Sequence, residues 1–249
     1  MIKISALNKT YNEGRLNEVR SIQNLNLSIA ANDFVVIVGA NGSGKSTLLN
    51  CIAGSVLPSS GSIIIDGTDV SRLPDYKRSR WIARVFQNPL SGTAPDLSIL
   101  ENFRLAALRT RSKSLTIGTT EAFKNQVEEK VALLGMGLEA KLEQPIGTLS
   151  GGQRQALTLL MAVMDELKIL LLDEPTAALD PRSADLVMKT ADKIIKEYGL
   201  TAVMVTHNIK DAYTYGNRVV QMSEGSVLRD IEQEEKKGLD VATIYEWFG

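Results

Sequence analysis

The sequence predicts an α/β fold with a largely parallel sheet. Three observations carry this. A short apolar run, Phe34 to Val38, stops at a glycine and is followed by a helical pattern. Two more runs of the same kind, Lys168 to Asp173 and Thr201 to Thr206, flank a long helical pattern from Pro181 to Tyr198. The 249 residues contain no internal repeat and no low-complexity linker. Apolar strands that alternate with helices build parallel sheets buried on both faces. The length suits one large domain or two small lobes and is ample for a core.

Along the chain, alternation at Leu25, Leu27 and Ile29 reads as a half-buried strand. Phe34 to Val38 reads as a strand buried on both sides, and Lys45 to Ala53 as a helix. Ser62 to Ile65 is a further strand, closed by the turn pair Asp66-Gly67. Ile82 to Phe86 follows as another. From Leu97 to Met136 the pattern is mainly helical, and the polar stretch Ser112 to Thr120 divides it into two helices and a loop. Helix character resumes at Gln153 to Met164. Pro181 stands near the first position of its helix, where its fixed φ and missing N–H suit the start. Val219 to Leu228 predicts a terminal hairpin turning at Glu224-Gly225. Glu232 to Lys237 reads as a solvated helix face or turn, and the few residues left after the hairpin leave no room for a regulatory domain.

Apolar residues make up 44% and charged residues 23%, ordinary values for a soluble globular protein. The net charge of −1 argues against nucleic acid or an anionic membrane as a partner, since their binders carry a basic excess. The single cysteine, Cys51, excludes an internal disulfide and a CxxC metal site, and its neighbours Leu48, Leu49 and Ile52 mark it as a buried packing residue. The N-terminus lacks signal-peptide form, and apolar runs such as Ile169 to Leu172 fall far short of the roughly 20 residues of a membrane span. A cytosolic protein is expected, with any membrane association supplied by a partner.

Gly39-Ala40-Asn41-Gly42-Ser43-Gly44-Lys45-Ser46 fits G-x-x-x-x-G-K-[ST], with a strand before it and a helix after it. Gly39, Gly42 and Gly44 let the backbone turn so that N–H groups from Asn41 to Ser46 face phosphate oxygens, and the helix start adds a favourable dipole. Lys45 is expected to reach the β- and γ-phosphates, Ser46 to place its hydroxyl on Mg²⁺, and Thr47 to add a phosphate hydrogen bond. The alternative, a glycine turn that binds nothing, leaves the strand, the spacing, the lysine and the serine unexplained. This motif means a nucleoside triphosphate without specifying the reaction.

A second feature supplies the reaction. Ile169-Leu170-Leu171-Leu172-Asp173-Glu174-Pro175 is an apolar strand that ends in two acids, and ligands of open α/β sheets bind at the carboxyl ends of strands. Asp173 is expected to hold Mg²⁺ through water, and Glu174, pointing the other way, to act as general base for the attacking water. Two solvated acids opening a loop would be the alternative for this segment taken alone.

Leu149-Ser150-Gly151-Gly152-Gln153, directly before a helix, resembles the signature of ABC ATPases. The resemblance covers nearly the whole chain, with its motifs in the family's order. It implies a P-loop NTPase core with a mostly parallel sheet, an N-terminal antiparallel β portion and a helical signature lobe. These form a single domain over 1–249, with 1–87 and 165–249 as core and 88–164 as helical lobe. It also implies that Tyr11 stacks on adenine, that Gln87 is the glutamine-loop contact to Mg²⁺ and water, and that Asp180 of Ala178-Leu179-Asp180 lies in the loop after the acids. His207, the only histidine, matches the switch histidine that contacts the γ-phosphate and orients the water. Taken alone, Tyr11 could be a core or edge residue, Gln87 an ordinary loop residue and His207 a structural one. Ser150, Gly151 and Gly152 at a helix start form a second anion site, and Ser150 there also suits a helix N-cap. By resemblance, Ser150, Gly151, Gly152 and Gln153 bind the γ-phosphate held by the opposite subunit, so that two copies sandwich two ATP molecules head to tail.

The family implies an ATPase on the inner face of the cell membrane, docked through Asn88 to Arg109 on separate integral membrane permeases, with an extracytoplasmic substrate-binding protein. Asn88-Pro89-Leu90-Ser91-Gly92-Thr93-Ala94-Pro95 is similar to importers of small solutes, amino acids among them. Tyr11 to Val19 resembles instead the lipoprotein-release and macrolide-efflux group. A cytosolic iron–sulfur-cluster assembly ATPase is a further alternative. A DNA-repair or translation-factor ATPase fits poorly, for want of a coiled-coil insertion, a CxxC hook or a second nucleotide domain.

Overall fold

The structure is a computed structural model that describes residues 1–109 and 118–247. The chain opens with two long antiparallel strands, β1 (Ile2–Tyr11) and β2 (Val19–Ile29), then β3 (Phe34–Val38) and α1 (Lys45–Ala53). Strands β4 (Ser60–Ile65) and β5 (Thr68–Asp69), the short helix α2 (Asp75–Arg78) and β6 (Ile82–Val85) follow. Helices α3 (Ile99–Ala107), α4 (Glu121–Ala132) and α5 (Gly151–Ala162) come next. The last part runs β7 (Ile169–Asp173), α6 (Pro181–Glu197), β8 (Thr201–Val205), α7 (Ile209–Thr214), β9 (Arg218–Ser223), β10 (Ser226–Ile231), α8 (Gln233–Lys237) and α9 (Val241–Tyr245).

Two sheets result. Four strands in the order β2-β1-β4-β5 are antiparallel. Six strands in the order β10-β9-β3-β8-β7-β6 are parallel except for the β9–β10 hairpin. The parallel strands bury both faces, and their period of two divides the residues between two cores. Val35, Ile37, Leu171 and Val203 face a core shared with α1 and the antiparallel sheet. Val36, Val38, Leu172 and Met204 face the other, shared with helices α3 to α6. Each such buried Val, Ile or Leu contributes roughly 1.5–3 kcal/mol. Cys51 sits in the first core, fully buried, and burial pushes its thiol up to about 11, as suits an inert packing residue.

The expected alternation of strands and helices is observed, with shifted ends: β6 stops at Val85, so Phe86 lies outside it, and β4 begins at Ser60. Residues 112–117 of the expected Ser112 to Thr120 loop lie outside the described residues. β1 itself escapes a periodicity reading because Ala6 adopts φ 46° and the pairing with β2 shifts register between Ile4 and Leu7. That irregularity moves Leu7 out of the Ile2–Ile4 alternation while keeping it buried. Helices α2, α7 and α9 are too short to show a helical period.

Candidate active site

The strand order β3-β8-β7 brings three carboxyl ends side by side: Gly39 after β3, His207 beyond β8, and Asp173-Glu174 at the end of β7. The loop after β3 depends on its glycines. Gly39 has φ 141°, and a Cβ there would stand 2.2 Å from the Met222 carbonyl oxygen. Gly44, at φ 98°, would bring a Cβ to 2.5 Å from the Ser21 carbonyl oxygen. Gly42 has φ 81° at the exposed tip beside Asn41, with open space around it. Gly39→Ala combines a forbidden conformation with a backbone clash, so it is expected to destabilise the fold by about 2–4 kcal/mol, read as a drop in thermal melting temperature.

Lys45 is 4% exposed, and its Nζ donates to the Gly39 carbonyl at 2.7 Å and the Ala40 carbonyl at 2.8 Å. Burial lowers its pKa, and the Glu174 carboxylate opposes that shift. No side chain caps α1 and no acid stands in its first turn. The Ser43 hydroxyl is buried without a partner. A buried ammonium whose hydrogen-bond partners among the described residues are carbonyls, an uncapped helix start and an orphan hydroxyl make a cradle suited to an anionic phosphate chain. Ser46 is exposed beside it. Thr47 is half-buried, and its Oγ1 accepts from the Ser21 hydroxyl at 2.7 Å.

Asp173 and Glu174 diverge for a reason beyond strand alternation. Asp173 still pairs with Val205 in the sheet, whereas Glu174 turns into the left-handed region at φ 46°. The Glu174 N–H donates to the Val205 carbonyl at 2.9 Å, which holds that turn. Its Oε1 lies 2.6 Å from His207 Nε2. Asp173 Oδ2 instead accepts from Arg84 Nη2 at 2.5 Å. Among the described residues no group of three or more His, Cys, Asp or Glu side chains could hold a metal. A metal at Asp173 and Ser46 would therefore draw further ligands from phosphate oxygens and water, the usual habit of Mg²⁺.

Ser150 caps α5: its hydroxyl accepts from Gln153 N at 3.3 Å, and Gln153 Oε1 accepts from Ser150 N at 3.1 Å. A Cβ at Gly152 would meet Ser183 at 2.5 Å, and one at Gly151 would meet Leu179 at 3.2 Å. The glycines thus let α5 approach the start of α6, where Asp180 accepts from the N–H groups of Arg182 and Ser183 at 3.1 Å each. The nearest atoms at Gly151 and Gly152 belong to Leu179, Pro89 and Ser183, all outside the 39–46 loop. Gln87 is exposed just beyond Phe86. Tyr11 is half-buried, with Lys9 Nζ 5.0 Å from its ring centre.

Two residues escape the motif reading. Gln155 is fully buried, and its Nε2 donates to the Phe86 carbonyl at 2.8 Å and the Pro175 carbonyl at 3.1 Å. It ties α5 to the segments that carry Gln87 and Glu174. Arg84 is the partner of Asp173, and its one signal in the sequence is a cation inside the apolar run Ile82 to Phe86.

The profile of the family described as ABC transporter matches residues 22–177. The "Tyrosine transport ATP-binding protein" of Clostridioides difficile (strain R20291) is 40% identical, covering 100% of this chain and 98% of that one. The phosphonates import ATP-binding protein PhnC of Rhizobium meliloti (strain 1021) is 36% identical over 90% of this chain and 81% of its own length. The dimeric post-hydrolysis state of the ATP-binding cassette MJ0796, bound to ADP and Pi, superposes with a TM-score of 0.79 at 32% identity, covering 94% of this chain and 99% of that one. With the profile matched over more than half of its length and a relative of that identity across all of it, the chain belongs to the ABC transporter family and is an ATP-binding, ATP-hydrolysing cassette.

Proposed function

We propose that this chain is the ATPase subunit of an importer of small solutes, amino acids among them, and that it works as a head-to-tail pair on separate permease subunits. The full-length similarity to a tyrosine transport ATP-binding protein carries this reading, and the phosphonates import relative supports the direction of transport. No helix among the described residues is long and apolar enough to cross a membrane. As such a subunit the chain would meet the inner face of the membrane through a permease, fed by an extracytoplasmic substrate-binding protein. A cleft of about 400 Å³ lined by Tyr76, Arg84, Phe86, Gly92, Arg109 and Thr158 borders the Asn88 to Arg109 segment and supplies a groove for a permease element.

In this reading the N–H groups of the 39–46 loop and Lys45 bind the phosphates, and Tyr11 stacks on adenine. Ser46, Asp173 and Gln87 would hold Mg²⁺, which when bound neutralises charge on the transferred phosphoryl group. Glu174 takes the proton of the attacking water. His207 contacts the γ-phosphate, and its Nε2, 2.6 Å from Glu174 Oε1, keeps the base and the water-orienting group together. Ser150, Gly151, Gly152 and Gln153 of the second copy close the site, with Asp180 at the junction. Hydrogen-bond donors and cations fixed where charge develops are the main source of rate in such a reaction.

Affinity purification from detergent-solubilised membranes tests the assignment to transport. An integral membrane protein recovered in stoichiometric amount is expected. Recovery of a soluble assembly scaffold instead would refute the importer reading.

A further inference from the structure

Arg84 lies at the third position of β6, and its neighbours Ala83 and Val85 are buried. Its side chain is 12% exposed and that of Asp173 is 16% exposed, so the pair is largely out of water. The guanidinium is held from three sides. Nη2 donates to Asp173 Oδ2 at 2.5 Å, Nη1 donates to Asn50 Oδ1 at 2.7 Å, and the plane lies 4.7 Å from the centre of the Phe86 ring. These partners belong to different parts of the site. Asp173 ends the acid strand, Asn50 belongs to α1, which starts at Lys45 and Ser46, and Phe86 precedes Gln87. A buried cation costs free energy unless it is paired and hydrogen-bonded, and here the bonds go to groups one step from the phosphate and metal positions.

We propose that Arg84 is a positioning residue for the metal site. It fixes the Asp173 carboxylate and, through Asn50, sets the separation between the acid strand and the helix that carries Ser46. The inference rests on the reading of Asp173 and Ser46 as Mg²⁺ contacts. A planar guanidinium suits the task because its nitrogens reach Asp173 and Asn50 at once in a fixed geometry, which an ammonium cannot reproduce. Arg84 also lines the cleft assigned above to a permease element, so a segment seated there would touch the side chain that holds the Asp173 carboxylate.

The test is the affinity for a fluorescent ATP analogue, measured with Mg²⁺ and again with EDTA, alongside a thermal melt. In Arg84→Met the gain in affinity due to Mg²⁺ is expected to fall about tenfold, the usual effect of losing a partner behind a metal ligand, with affinity in EDTA unchanged. Arg84→Lys keeps the charge and loses the fork, so a smaller loss of about threefold in the same direction is expected. Asn50→Ala, which leaves the Arg84–Asp173 pair intact, is expected to shift the Mg²⁺ dependence the same way, and with Arg84→Lys it carries the test if Arg84→Met does not fold. An unchanged Mg²⁺ gain, a loss equal with and without Mg²⁺, or tighter Mg²⁺ binding would each overturn the proposal. Asp173→Asn separates this from the underlying reading. If it abolishes the Mg²⁺ gain while the Arg84 and Asn50 variants do not, the site stands and the role of Arg84 falls. If it too has no effect, the assignment of Asp173 falls first.

Discussion

Glu174→Gln is expected to lower ATP turnover at least about a thousandfold while leaving ATP affinity near that of the unaltered chain, since general-base catalysis contributes factors of that order. Gln has the same shape and can place its carbonyl oxygen beside His207 Nε2 as Glu174 does, so the left-handed turn at Glu174 and the contact to His207 survive. What is lost is the proton-accepting carboxylate. Lys45, whose buried ammonium is stabilised in part by the Glu174 charge, loses one favourable interaction without losing its carbonyl partners. Blocked hydrolysis should leave a long-lived ATP-bound dimer, visible by gel filtration in ATP. Phosphate release at the ordinary rate would remove Glu174 from the role of base.

Ser150→Arg is the second large effect. It should abolish turnover while a monomer still binds ATP. Ser150 is exposed and caps α5, so its loss costs about 1 kcal/mol of helix stability, too little to unfold the chain. The added bulk would stand where, in the proposed pair, the signature of one copy meets the phosphate held by the other. Equilibrium binding to dilute monomer and steady-state turnover separate these effects. Loss of monomer binding would mean that the signature serves its own chain's nucleotide.

Much of this site was legible in the residues because its chemistry is contiguous. The phosphate loop, the acid pair and the signature are each a short run in which glycines, a lysine or carboxylates stand next to a strand end or a helix start. The parallel core was legible for the same reason, since strands buried on both faces are uninterrupted apolar runs. Contacts between segments distant in sequence were not. Nothing local to Ile82–Phe86 says that Arg84 meets Asp173, and nothing local to Gln155 says that it reaches Phe86 and Pro175. Those pairings follow from β6 lying beside β7 and from α5 packing under both loops, which is sheet order rather than pattern. The divergence of Asp173 and Glu174 was expected from strand alternation, whereas the structure obtains it from a backbone turn at φ 46° after the strand has ended. β1 was hidden by its register shift, and α2, α7 and α9 by their shortness.

The central claim is that each active site is built from two copies, the 39–46 loop of one and the 150–153 signature of the other. Mixing two inactive variants tests it most directly. Lys45→Ala disables one phosphate loop and Ser150→Arg one signature, and each should be inactive alone. In a mixed head-to-tail pair one site contains both lesions, and the other combines the intact loop of the Ser150→Arg chain with the intact signature of the Lys45→Ala chain. An equimolar mixture is therefore predicted to regain up to about a quarter of normal turnover, with half of the dimers mixed and one of two sites complete in each. A mixture as inactive as its components would contradict the shared site.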